Sequence, residues 1–142
     1  MSENDASIVA IVDDDDSMRR SLKNLFDSVG LRAEAFASAS AFLQSIHQEH
    51  IGCLVLDLRM PGMDGIALLE HLSDTGSRVI PAVILTAHGD DEARERSVQA
   101  GARAFLSKPV NSHALLAAVK AALNQGERLP DDANTGPRES SP

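Results

Sequence analysis

Five side chains of this sequence could do chemistry together: Asp13, Asp14, Asp57, Thr86 and Lys108. Each stands at the end of an apolar run. Asp13 and Asp14 follow Ile8–Val12, Asp57 follows Cys53–Leu56, Thr86 ends the run 79–86, and Lys108 follows Ala102–Ser107. Within its own stretch, Leu54–Gly65, Asp57 could merely cap the turn signalled by Pro61-Gly62 and Asp64-Gly65. The other four residues argue for more. If the runs are parallel strands of one sheet, all five groups gather at one edge, where open α/β sheets place reactive groups.

Three carboxylates brought together repel one another unless a cation intervenes. With no His or Cys at these positions, the oxygen donors select a hard ion, Mg²⁺ or Mn²⁺. A calcium-binding EF-hand loop is excluded by spacing, because counting from Asp13 puts Met18 where Gly is needed and Asn24 where Glu is needed. Asp15 and Asp16 read as solvated or capping residues. A carboxylate, a metal, an ammonium and a hydroxyl form a phosphoryl-transfer set. Asp57 is the nucleophile that becomes an acyl phosphate, while the metal and Lys108 neutralise charge on the transferring oxygens.

The elements that must position these groups alternate in type. After the strand Ile8–Val12, the residues Met18, Leu22, Leu25, Phe26 and Val29 recur at helical spacing, with Asp16 or Ser17 as N-cap and Gly30 as left-handed C-terminal stop. Leu31–Phe36 reads as an edge strand. Ser38 or Ser40 starts a helix carrying Ala39, Phe42, Leu43 and Ile46. The strand Cys53–Asp57 follows, then a helix from Gly65 to Ser73 with Ile66, Leu69 and Leu72 on one face. The strand at 79–86 leads to a polar helix, Asp90–Ala100, whose core-facing residues are Ala93, Val98 and Ala100. So little apolar surface predicts the least firmly docked helix of the chain. The strand Ala102–Ser107 precedes a last helix capped by Asn111 or Ser112, with Leu115, Leu116, Val119, Ala122 and Leu123 inward and Gly126 ending it. Five strand–helix alternations predict a doubly wound five-stranded parallel sheet of flavodoxin-like order 2-1-3-4-5, with five helices. A Rossmann-type half is the weaker alternative, since no Gly-x-Gly-x-x-Gly follows the first strand.

The expected organisation is a flexible N-terminus over 1–7, one domain over 8–125, and a disordered tail or linker over 126–142. Lys and Arg total 13 against 21 Asp and Glu, a net charge of −8. A surface that acidic disfavours nucleic acid or anionic membrane as a direct partner. The single cysteine, Cys53, falls in a buried strand, which makes it inert and allows no intrachain disulfide. There is no membrane-span pattern and no signal peptide, so a cytoplasmic location is expected.

Taken together, Val12-Asp13-Asp14, the run Leu56–Gly65, Leu-Thr-Ala-His at 85–88 and Leu-Ser-Lys-Pro at 106–109 resemble the receiver domains of two-component response regulators, a CheY-like fold, most closely the FixJ/NarL-type pattern. The resemblance runs from Ile8 to about Gln125. It implies that Asp57 accepts a phosphoryl group from a sensor histidine kinase. Asp14, Asp57 and the backbone carbonyl of Arg59 would ligate Mg²⁺, with Asp13 acting through a water. Thr86 would hydrogen-bond the phosphoryl group, Lys108 would pair with it, and Phe105 would be the switch aromatic. The Lys108-Pro109 peptide would be cis, and the side chains of Arg59 and His88 would tune the lifetime of the phosphorylated state. Such a chain assists its own phosphotransfer and dephosphorylation but is no turnover enzyme, and a phosphorylation-dependent homodimer through 86–125 is expected. The family commonly places a DNA-binding output domain after the receiver. Here only a polar stretch follows, consistent with a stand-alone receiver or one cut at a linker.

Two other functions fit parts of the pattern. An aspartate-nucleophile phosphatase needs a second acid two residues after the nucleophile, where this chain has Arg59. A phosphorylation-independent binding module would lack part of the constellation, yet every member is present. The histidines His47, His50, His71, His88 and His113 are scattered and do not pair at metal-ligand spacing; all but His88 read as surface residues.

Overall fold

A computed structural model describes residues 8–45, 50–74, 80–87 and 90–127, with side chains to 124. In chain order the described residues form β1 (Ile8–Val12), α1 (Asp16–Ser28), β2 (Ala33–Phe36), α2 (Ala39–Leu43), β3 (Ile51–Leu56), α3 (Gly65–Asp74), β4 (Ala82–Thr86), α4 (Asp91–Gln99), β5 (Ala102–Ser107) and α5 (Ser112–Glu127). The strands make one parallel sheet in the expected order, β2-β1-β3-β4-β5.

The three inner strands are buried along their whole length, as their unbroken β-branched and aliphatic runs require. Their alternate residues feed two cores. Ala10, Val12, Leu54, Leu56 and Ile84 meet Phe42 of α2 and Ile66, Leu68 and Leu69 of α3 on one face. Val9, Ile11, Val55, Val83 and Leu85 meet Leu22 and Phe26 of α1 and Leu115, Val119 and Ala122 of α5 on the other. Cys53 lies in this second core, where burial pushes its thiol up to about 12, so it stays an inert apolar filler.

Several sequence expectations need correction. The N-cap of α1 is Asp15, whose carboxylate accepts from the Met18 N–H, while Asp16 is already helical. The C-terminal stop is as expected: Gly30 has φ 80°, its N–H donates to the Asp27 carbonyl, and the Leu31 N–H donates to the Phe26 carbonyl. Val29 is the C-cap and is exposed, because the turn that ends the helix swings it off the inner face. The edge strand β2 begins at Ala33, two residues later than expected, and β3 begins at Ile51, two residues earlier. Ser38 caps α2, which is shorter than expected; Ile46 lies outside the described residues, as does Val79 before β4.

On α4, capped by Asp90, Val98 is 58% exposed and Ser97 is fully buried. Ala93, Ser97 and Ala100 follow helical spacing on one face, and Val98 sits about 100° round from Ser97. The Ser97 hydroxyl is satisfied by donating to the Ala93 carbonyl at 2.8 Å, which makes its burial tolerable. Asn111 caps α5 by accepting from the Ala114 N–H. This helix passes through Gly126 to Glu127 without stopping, since a glycine permits a left-handed turn but does not impose one. The remainder of the expected tail, and the N-terminus over 1–7, lie outside the described residues.

Candidate functional site

Sheet register brings the acids together. Val12 pairs with Leu56, and the Asp57 N–H donates to the Val12 carbonyl at 3.0 Å. Asp13 and Asp57 therefore leave neighbouring strands side by side, both buried. With the exposed Asp14 they form a group whose nearest carboxylate oxygens lie within 4.8 Å of one another. An all-oxygen set this close fits a hard divalent cation such as Mg²⁺ and does not fit a soft, thiolate-seeking ion.

Lys108 reaches the same point from β5. Its N–H donates to the Thr86 carbonyl at 2.9 Å, and its ammonium lies 2.9 Å from Asp13 Oδ2 and 3.3 Å from Asp57 Oδ2. Burial alone would lower the Lys108 pKa. The hydrogen bond and charge of Asp13, with those of Asp57, outweigh it, so the net shift is upward and the ammonium stays charged. The remaining oxygens are held by main chain: Asp13 Oδ1 accepts from the Asp15 N–H at 2.9 Å, and Asp57 Oδ1 accepts from the Arg59 N–H at 3.4 Å. That second contact sets the Arg59 backbone beside the Asp57 carboxylate. The Lys108-Pro109 peptide is cis.

Thr86 is fully buried at the end of β4, and Phe105 of β5 is nearly so. The Arg94 guanidinium of α4 lies over the Phe105 ring, 5.0 Å from its centroid. The Arg59 side chain is exposed and lines a cavity of ≈ 210 Å³ with Asp64, Asp90 and Arg96. His88, like His47, lies outside the described residues. Of the other histidines, His71 and His113 are exposed and His50 is half-buried.

Three residues of this neighbourhood escape sequence reasoning or are only partly read by it. Arg19 of α1 donates from Nη1 to the Asp13 main-chain carbonyl at 2.9 Å, and the available signal was a base close to an acidic helix start. Arg94 carried no signal, because its position over Phe105 depends on how α4 docks. Gly65 reads from sequence as a helix opener, but its larger role is steric. A Cβ there would fall 2.5 Å from the Asp57 carbonyl oxygen, so only glycine lets α3 start against the acid-bearing segment. The Gly65 N–H donates to the Leu58 carbonyl, and Asp64 caps the helix through the Ala67 N–H.

Comparison with known proteins bears on this arrangement. The chain matches the family described as the response regulator receiver domain over residues 9–120. It is 45% identical over 122 residues to nodulation protein W of Bradyrhizobium diazoefficiens, covering 86% of this chain and 53% of that protein. It is 38% identical over 135 residues to the response regulator protein TodT of Pseudomonas putida, covering 95% of this chain and 58% of that protein. The chain thus spans little more than half the length of these curated relatives. Among solved structures, the one titled FixJ-N superposes with a TM-score of 0.75 at 35% identity, covering 87% of this chain and 96% of that one. The match over most of the chain, together with the acid–lysine edge that the fold assembles, makes this chain a member of the response regulator receiver domain family.

Proposed function

We propose that this chain is a phosphoacceptor, a single receiver unit over 8–125 that takes a phosphoryl group from a sensor histidine kinase on Asp57 and passes on the resulting change of shape. The observation that carries the reading is the Lys108 ammonium lying between Asp13 and Asp57, with Asp14 close by. In the transfer, the P–N bond of a phosphohistidine breaks, a bond forms between phosphorus and an Asp57 carboxylate oxygen, and the imidazole leaves. Asp14, Asp57 and the Arg59 carbonyl would hold Mg²⁺ (or Mn²⁺), with Asp13 acting through a water; the bound ion would supply positive charge to the transferring oxygens. Lys108 turns from the carboxylates to the phosphoryl oxygens, and Thr86 donates its hydroxyl to one of them.

Arg59, at the rim, shields the acyl phosphate from in-line attack by water, while His88 orients that water. Thr86 and Phe105 couple the site to α4, and the face 86–125 forms a homodimer when phosphorylated. A net charge of −8 suits protein partners, met in the cytoplasm where the kinase would present its phosphohistidine, better than nucleic acid or anionic lipid.

Incubation with acetyl phosphate and Mg²⁺, followed by mass mapping, tests the assignment. Wild type should be labelled on Asp57 only when divalent metal is present, and Asp57→Asn should not be labelled. Equal label on the Asn variant would sink the acceptor assignment, turnover of the donor with no label accumulating on Asp57 would favour a phosphatase, and neither label nor turnover would favour a phosphorylation-independent module. Timed after donor removal in excess Mg²⁺, Arg59→Ala should lose label faster than wild type, and His88→Ala should lose it more slowly or at the same rate. Slower loss from Arg59→Ala would reverse the shielding role.

A further inference from the structure

Arg19 breaks a local rule. It stands just past the first turn of α1, where a cation opposes the helix dipole. Its side chain is nonetheless held at both ends of the fork. Nη1 donates to the Asp13 carbonyl at 2.9 Å, Nη2 donates to Asp16 Oδ1 at 3.0 Å, and only 19% of the side chain is exposed. A helix-surface pair with Asp16 alone would not require the first of these bonds.

The Asp13 carbonyl has a reason to need a donor. The Asp13 N–H still donates to the Phe36 carbonyl at 3.2 Å, but β1 ends at Val12 and the carbonyl points past the last rung of the sheet. That carbonyl belongs to the peptide joining Asp13 to Asp14. Clamping it sets the direction in which Asp14, the exposed member of the acidic group, leaves the strand. On the far side of Asp14 the chain is tied again, where the Asp15 N–H donates to Asp13 Oδ1.

We propose that Arg19 is a positioning residue of the cation site: by fixing the Asp13–Asp14 peptide against the first turn of α1, it holds the Asp14 carboxylate within reach of Asp57. This rests on reading the acidic group as a Mg²⁺ site. The sign of the effect separates a clamp from a charge. As a charge Arg19 repels the cation, so its removal would tighten binding; as a clamp its removal loosens binding.

Calorimetric titration of Mg²⁺ into the unphosphorylated wild type, Arg19→Gln and Arg19→Lys reads this directly, with urea unfolding of each protein alongside. The Gln variant should bind roughly tenfold more weakly, as loss of an outer-shell support does. The Lys variant, which keeps the charge but not the fork, should also weaken. Equal or tighter binding by Arg19→Gln overturns the proposal, and if that variant does not fold, equal or tighter binding by Arg19→Lys does so. A role confined to the helix surface would lower the urea midpoint and leave the Mg²⁺ affinity alone, which likewise overturns it. If the wild type takes up no Mg²⁺, the metal reading itself falls and the role of Arg19 with it.

Discussion

Lys108 holds apart two carboxylates that would otherwise face each other inside the protein. Its side chain is 16% exposed, and those of Asp13 and Asp57 are 4% and 8% exposed. Breaking such a group by removing one partner leaves uncompensated buried charge, which costs about 3 kcal/mol or more. Lys108→Met should therefore be less stable than wild type at pH 7 by that amount in urea unfolding, and saturating Mg²⁺ should return part of the loss. The pH dependence has a definite sign. The folded-state pKa of Lys108 is raised, so its contribution is complete below the unfolded value of about 10.4 and is lost only as pH rises through the folded value. The gap between wild type and variant should hold from neutral pH to about pH 10 and close above it. A gap that closed below pH 9 would contradict the assigned pairing.

Helix α4 is held by little. Ala93, Ser97 and Ala100 face inward, none with a large apolar side chain, and the cation–π contact of Arg94 with Phe105 adds a tie to β5. Such a contact is worth about 0.5–1 kcal/mol at an exposed site. It is strong enough to bias a two-state element and weak enough to be overcome. A phosphoryl group brings roughly −1.5 to −2 charges and new acceptor oxygens, close to Thr86 on the strand adjoining Phe105. Thr86 and Phe105 are already buried. A coupling through these two residues would then need no inward travel of the ring, only a change in how firmly α4 is held over it. Hydrogen exchange on phosphorylation should change mainly within Thr86–Phe105, and Arg94→Ala should speed exchange in α4 even without phosphate. A response confined to Gly30–His50 would rule out this route.

The whole molecule carries a net charge of −8, so two copies repel one another before any contact forms. A phosphorylation-dependent dimer through 86–125 must overcome that repulsion, and salt should help it, since screening acts over about 8 Å at physiological ionic strength. The exposed Val98 of α4 lies on this stretch. In sedimentation velocity, acetyl phosphate with Mg²⁺ should shift the protein toward dimer, more so at higher salt. Val98→Glu should block the shift while Asp57 is still labelled. A monomer in every condition would remove the dimer from the proposed mechanism.

The order of strands and the nearness of Asp13 and Asp57 were legible in the chain itself, whereas the cis Lys108-Pro109 peptide was expected only from the family resemblance. Hydrophobic period, turn residues and right-handed crossovers leave a parallel sheet few other arrangements, and a parallel sheet gathers its strand ends at one edge. Boundaries were less legible. Whether Asp15 or Asp16 caps α1, and whether α5 stops at Gly126, turn on small local energies that neighbouring residues satisfy almost equally well. The inward choice of Ser97 over Val98 went against hydrophobicity because helical phase, set by how α4 lies on the sheet, outranks the character of one side chain. The placing of Arg94 on Phe105 and the steric need for Gly65 against Asp57 belonged to tertiary structure, and that of Arg19 on the Asp13 carbonyl was hinted only by a base near an acidic helix start. Each depends on the distance between two elements after they pack, and no spacing along a single chain encodes that distance.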